Sequence, residues 1–241
     1  MNTTPAAGSQ AVDLIEFVTG GTSADLHAAA SVIVLHGLGA DGSDFLPVAQ
    51  ALDLSGLGPV RFVFPSAPTR PVTINGGYVM RAWYDIFPPP GGDPAAARPE
   101  DEAGLRASAA IVQGLVEREE QRGVPAGRIV LMGFSQGCAM TLLTGLRLPR
   151  RLAGLVALSG YLPLPHATAA EASEANRGVP VLMAHGERDE MVVPARAEAA
   201  RDTLGDLGYA VDWATYPMGH EVCMEEVTRI GGWLRQVLAP R

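Results

Sequence analysis

The chain has 241 residues, of which 47% are hydrophobic and 18% charged, a balance that excludes general disorder and suits one α/β domain with a full core. Its formal net charge is −8 at pH 7 with no basic run, which argues against a nucleic-acid partner because phosphate neutralisation needs clustered positive charge. Every basic residue is arginine, so Ser-Lys and Schiff-base chemistry are excluded.

At the N-terminus, Met1 to Val12 lacks the charged start and apolar stretch of a secretory leader. Apolar runs such as Val32-Ile33-Val34-Leu35 are strand-sized and far too short to span a bilayer. No stable membrane insertion and a cytoplasmic location are therefore expected. The two cysteines, Cys138 and Cys223, are too few for a disulfide framework and are not spaced as metal ligands, so neither a metal nor another cofactor is expected.

Strand candidates recur along the chain at 13–18, 31–35, 60–64, 128–132, 154–158, 179–184 and 211–216. Several are continuous apolar runs without alternation, the pattern of strands covered on both faces of a parallel sheet. Helices are predicted between them. The clearest is 100–122, with Leu105, Ala109, Val112 and Val116 on one stripe and Gly123 closing it; others are 136–148, 195–207 and 221–238. Two segments break the rhythm. Residues 65–94 are rich in Pro and Gly and read as a long functional loop, and 163–178 read as a surface excursion. Neither marks a boundary, so one domain over residues 1–241 is expected.

The sharpest local signal is Gly133-Phe134-Ser135-Gln136-Gly137, a G-x-S-x-G pentapeptide between a predicted strand and a predicted helix. That setting is the one a nucleophile elbow requires, with glycines where neighbouring side chains would collide and a serine at a helix N-terminus. A serine nucleophile needs a base. His220 follows the last predicted strand and precedes the last helix, where an open α/β sheet presents its ligand-binding groups. The chain order Ser, Asp, His then places the acid between them, and Asp189, just past the strand at 179–184, is preferred. Asp202, Asp206, Asp212, Glu187 and Glu190 are weaker competitors that read as solvated carboxylates. At the end of an early strand, His36-Gly37-Leu38-Gly39 is placed to give one oxyanion-hole N–H from Leu38, with the second from Gln136. His36 and His185 read as structural.

With these blocks in hand, the chain resembles the carboxylesterase/phospholipase group of α/β-hydrolases that includes the acyl-protein thioesterases. The matching segments are Leu35-His36-Gly37-Leu38-Gly39, Phe64-Pro65-Ser66-Ala67-Pro68, Arg81-Ala82-Trp83-Tyr84-Asp85-Ile86, the Ser135 pentapeptide, His185-Gly186 with Asp189 and Val192-Val193-Pro194, and Gly219-His220-Glu221. The resemblance implies an α/β-hydrolase fold with a mostly parallel sheet and helices on both faces. It also implies the triad Ser135, Asp189 and His220, the oxyanion donors Leu38 and Gln136, and a lid-like groove wall over 71–99 with Trp83 near the site; an aromatic anchor packed under that loop is the other reading of Trp83. Two departures stand out: Cys138 replaces a glycine usual after the Gln-Gly pair, and the insertion Pro88–Pro99 is unusually long.

The expected activity is hydrolysis of carboxylic esters with short to medium acyl chains through an acyl-enzyme. A thioesterase or lysophospholipase is the alternative reading, and a non-catalytic ligand-binding protein of the same fold is the remote one. The expected partner is a small acyl ester or thioester; a homodimer is compatible with the sequence.

Overall fold

The aliphatic runs of the sequence pair side by side into one seven-stranded sheet. In the computed structural model, which describes residues 12–19, 27–92 and 98–240, the strands are β1 (Leu14–Val18), β2 (Ala30–Leu35), β3 (Val60–Pro65), β4 (Thr69–Val72), β5 (Tyr78–Arg81), β6 (Ile129–Phe134), β7 (Gly154–Leu158), β8 (Val181–Gly186) and β9 (Val211–Tyr216). The readings of Met1 to Val12 and of the middle of the Pro88–Pro99 insertion fall largely on residues 1–11 and 93–97, outside the described residues. The sheet order is β1-β3-β2-β6-β7-β8-β9, parallel throughout except for the antiparallel edge pair β1–β3. This is the expected α/β-hydrolase arrangement.

The helices are α1 (Leu46–Ala51), α2 (Glu102–Gln121), α3 (Gln136–Arg147), α4 (Pro165–Glu171), α5 (Pro194–Asp206) and α6 (Met224–Val237). Alternate strand residues explain the absence of polar alternation. Ile33, Leu35, Leu131, Leu155 and Met183 pack with Leu105 and Val112 of α2, Met140 and Leu143 of α3, and Leu204 of α5. The intervening Val32, Val34, Phe62, Val130 and Met132 face Ile230, Trp233 and Leu234 of α6 and Ala49 of α1. Both faces of the sheet are covered, so both sets must be apolar. The Asp101 side chain caps α2 by accepting the Gly104 N–H at 2.9 Å, which places the helix start one turn edge later than the sequence pattern suggests.

Three elements differ from expectation. The segment 65–94 is not structureless: β4 and β5 form an antiparallel hairpin within it, with Thr69 opposite Arg81 and Val72 opposite Tyr78. The 163–178 excursion carries α4 and buries Asn176, whose side chain accepts the Leu152 N–H at 2.9 Å and donates to the Leu148 and Arg150 carbonyls. Six-residue α1 had no sequence pattern to announce it. Among the described residues, no helix is long and apolar enough to cross a membrane.

Far from the strand C-terminal ends, β2 and β3 place Ser31 opposite Arg61, and both reach the fully buried Glu119 of α2. Arg61 Nη1 donates at 2.8 Å and Ser31 Oγ at 2.6 Å.

Candidate active site

The turn from β6 into α3 is set by close packing. A Cβ on Gly133 would lie 2.1 Å from the Gly137 carbonyl oxygen, and one on Gly137 would lie 1.9 Å from that of Leu35. Only glycine fits at either place. Between them Ser135 takes φ 56° and ψ −116°, a conformation disfavoured for any residue with a Cβ. Its N–H is held by the Leu158 carbonyl at 2.9 Å, so β7 braces the elbow. The serine hydroxyl is thereby lifted clear of the sheet at the first turn of α3.

Two later strands deliver its partners. The loop after β9 carries His220, and the loop after β8 carries Asp189. The His220 Nε2 lies 2.9 Å from Ser135 Oγ, and its Nδ1 lies 2.7 Å from Asp189 Oδ2. Asp189 is buried, and its Oδ1 accepts the N–H groups of Met191 at 2.9 Å and Val192 at 2.8 Å. A carboxylate accepting on one oxygen from two amides keeps the other for the imidazole, so Nδ1 bears the proton and Nε2 is free to accept from the serine. His185 lies beneath this loop, buried, with Nε2 donating to the Val192 carbonyl at 2.7 Å; it braces the turn that carries the acid. The Phe134 ring sits 4.7 Å from that of His220, walling one side of the imidazole.

A cleft of about 470 Å³ opens over Ser135 and His220. Because β2 and β6 are neighbours, the loop after β2 brings Leu38 to the same cleft as Gln136. Neither the Leu38 nor the Gln136 N–H has an acceptor among the described residues, whereas the Gly39 and Ala40 amides donate to the Arg81 and Gly37 carbonyls. Two free N–H groups beside a serine suit an oxygen that gains negative charge.

Residues 22–238 match the phospholipase/carboxylesterase family. The chain belongs to that family. Acyl-protein thioesterase 1 of Neurospora crassa is 43% identical over 213 residues, covering 87% of each chain. A probable carboxylesterase of Oryza sativa subsp. japonica is 32% identical, covering 86% of this chain and 77% of its own. Among solved structures, Arabidopsis thaliana SOBER1 superposes with a TM-score of 0.79 at 31% identity, covering 87% of this chain and 99% of its own. Zea mays acyl-protein thioesterase 2 gives 0.77 at 28% identity, covering 93% and 99%. The protein is therefore a hydrolase of the phospholipase/carboxylesterase family.

Of the two readings of Trp83, the structure matches the packed anchor. Trp83, expected near the site, is completely buried and does not line the cleft. Its indole N–H donates to the His36 carbonyl at 2.9 Å, its backbone N–H to the Gln136 side-chain oxygen at 3.0 Å, and its carbonyl accepts from Ser108 Oγ. The Gln136 amide nitrogen in turn donates to the Tyr84 carbonyl at 2.9 Å. Trp83 is an anchor because its one polar atom finds a partner only by facing inward.

The cleft wall comes instead from its neighbours Tyr84 and Ile86, from Ile74 and Leu105, and from Tyr161 after β7. The hydroxyls of Tyr84 and Tyr161 lie 2.8 Å apart, and burial together with Tyr161 holds the Tyr84 phenol well above its ordinary pKa. Arg196, the third residue of α5, lies over the Tyr161 ring at 3.6 Å from its centroid. Ile74, Tyr84 and Ile86 come from the 71–99 segment expected as a groove wall, whereas Tyr161 and Arg196 were not singled out by sequence. The signal available for Tyr161 was its place just after the C-terminal end of a parallel strand. Cys138 is buried behind the elbow, and desolvation pushes its thiol pKa far up, so it packs as a small apolar residue.

Proposed function

We propose that the protein is a serine hydrolase that cleaves acyl esters and thioesters through an acyl-enzyme on Ser135. The observation that carries this reading is the continuous hydrogen-bonded chain from Asp189 through His220 to Ser135 Oγ at the cleft. In this reading His220 Nε2 takes the hydroxyl proton as Ser135 Oγ attacks the carbonyl carbon, while Asp189 stabilises the imidazolium. The oxygen of the tetrahedral intermediate accepts from the N–H groups of Leu38 and Gln136. Collapse of the intermediate expels the leaving group with the proton from His220, and a water activated by the same imidazole then releases the acid. Ser135, Asp189 and His220 are the catalytic residues of this scheme.

The apolar wall of Ile74, Tyr84, Ile86 and Leu105 suits a short to medium acyl chain. The names of several relatives favour a thiol as the natural leaving group, and the carboxylesterase relative keeps oxygen esters in range. A thiol near its ordinary pKa of about 8.5 needs little protonation to depart, so one machinery serves both.

The test is covalent labelling with a fluorophosphonate probe followed by peptide mapping. An adduct on Ser135 and loss of both labelling and turnover in Ser135→Ala are expected. Retained turnover in Ser135→Ala, or no labelling of the wild type, would overturn the assignment and favour a non-catalytic binder. Relative kcat/KM on an acyl-CoA, a lysophospholipid and a p-nitrophenyl ester then ranks the leaving groups.

A further inference from the structure

The loop after β2 contains a buried histidine that this chemistry does not use. His36 is 1% exposed and does not line the cleft, yet both of its ring nitrogens are engaged. The Ala67 N–H donates to Nε2 at 2.9 Å, which leaves that nitrogen without a proton of its own. The ring proton therefore sits on Nδ1, 2.6 Å from the Gly37 carbonyl oxygen, and is donated to it. Burial holds the His36 pKa below its ordinary value, in keeping with a neutral ring.

The Gly37 carbonyl and the Leu38 N–H belong to one peptide unit. No cis peptide bond occurs among the described residues, so the two groups point in opposite directions from one rigid plane. A bond that fixes the carbonyl also fixes where the N–H aims. The preceding plane is pinned as well, by the Trp83 indole N–H on the His36 carbonyl at 2.9 Å. Leu38 is left with an amide hydrogen that has no acceptor among the described residues, in the same cleft as Ser135.

We propose that His36 is a positioning residue whose Nδ1–H bond to the Gly37 carbonyl holds the Leu38 N–H aimed at the substrate oxyanion. The inference rests on the proposed function, in which Leu38 is an oxyanion donor. Without the 2.6 Å bond, the Gly37–Leu38 plane is held only by the Ala40 N–H at 3.4 Å and is looser about the direction of the Leu38 N–H. The loss falls on the charged intermediate more than on the bound substrate, so kcat moves and KM does not.

Two substitutions separate the ring nitrogens. In His36→Asn the side-chain amide reaches the place of Nδ1 and still donates to Gly37. In His36→Gln it reaches the place of Nε2, accepts from Ala67 and leaves the Gly37 carbonyl with only the longer bond from the Ala40 N–H at 3.4 Å. His36→Gln is expected to lower kcat by about 10- to 100-fold, a part of what deleting one oxyanion donor costs, with KM within about twofold. His36→Asn is expected to retain most of the wild-type kcat. Full kcat in the Gln variant, or equal losses in both, would overturn the inference. An independent measurement on the wild type is the nitrogen-15 spectrum of the His36 ring; protonation at Nδ1 is expected, and protonation at Nε2 would overturn it. A wild type that carries no fluorophosphonate adduct on Ser135 defeats the proposed function first, whereas an active wild type with an indifferent Gln variant defeats this inference alone.

Discussion

Asp189 divides its two carboxylate oxygens between different tasks: Oδ1 accepts the Met191 and Val192 amides, and Oδ2 alone meets His220 Nδ1 at 2.7 Å. That division fixes what an isosteric change does. In Asp189→Asn the side-chain oxygen must stay with the two amides, so the NH2 group faces His220 and forces the imidazole proton onto Nε2. The ring then cannot accept from Ser135. We expect kcat to fall by about 10⁴-fold with little change in melting temperature, measured on a p-nitrophenyl ester. A similar fall in Asp206→Asn or Asp212→Asn, with Asp189→Asn active, would move the acid elsewhere.

The backbone of Ser135 predicts a difference between two inactive variants. At φ 56° an alanine keeps the conformational strain that the serine bears, and a glycine relieves it. Strain of this kind costs on the order of 1–3 kcal/mol, partly offset by the greater unfolded-state freedom of glycine. Ser135→Gly should therefore melt above Ser135→Ala by roughly 2–4 °C, about 1 kcal/mol for a chain of this size. Equal or reversed melting temperatures would show that the elbow is not strained.

Glu226, in the first turn of α6, is the group most sensitive to pH. Both of its carboxyl oxygens are buried without a well-formed hydrogen bond among the described residues, and desolvation raises its pKa from 4.5 to about 8, against a smaller opposing effect of the Cys223 backbone. In the unfolded chain the group ionises near its ordinary value, while the folded chain keeps the proton. Between these pKa values the native state binds more protons than the unfolded one, so stability falls as pH rises from about 4.5 to 8 and levels off above. The full loss is on the order of 5 kcal/mol. Glu226→Gln should abolish this slope in melting temperature and exceed the wild type at pH 8. A slope that persists in Glu226→Gln would assign it to another group.

At the opposite end of the strands, Glu119 offers a control in which stability and chemistry part. Its carboxylate holds Arg61, Ser31 and Arg122, and it is fully buried. Glu119→Gln removes the buried negative charge that Arg61, Arg122 and the Ser31 hydroxyl share, at a cost of about 3 kcal/mol. Denaturant titration should show that loss while kcat per folded molecule stays at the wild-type level. A fall in kcat as large as that in stability would mean that this end of the sheet is coupled to the site.

Much of this was legible in the sequence because it depends on local or strictly periodic constraints. The uninterrupted run Val32-Ile33-Val34-Leu35 reads as a buried parallel strand since both its faces meet helices. Gly133 and Gly137 are readable because no Cβ fits beside Ser135. The β4–β5 hairpin was not legible: Arg70 and Pro71 interrupt β4, and the exposed Tyr78 and Val79 open β5, so neither four-residue strand shows an apolar face. For Trp83 the sequence left substrate contact and packed anchor both open, because an aromatic in a Pro- and Gly-rich stretch has no local sign of burial. Its place is set by the His36 carbonyl, 47 residues away in the chain. Arg196 and Tyr161 meet over a similar gap, one on α5 and the other after β7.

The strand order has a consequence for how the substrate range of such a protein changes. Ser135 leaves β6, Asp189 leaves β8 and His220 leaves β9, whereas β7, seated between β6 and β8, sends out no member of that chain of hydrogen bonds. Its following segment nevertheless contributes Tyr161 to the cleft wall. Change at Tyr161, past the Leu158 and Gly160 positions that pack on the elbow, reshapes the room for an acyl group without adding to or removing from the proton path, which makes it the natural place to retune selectivity by substitution.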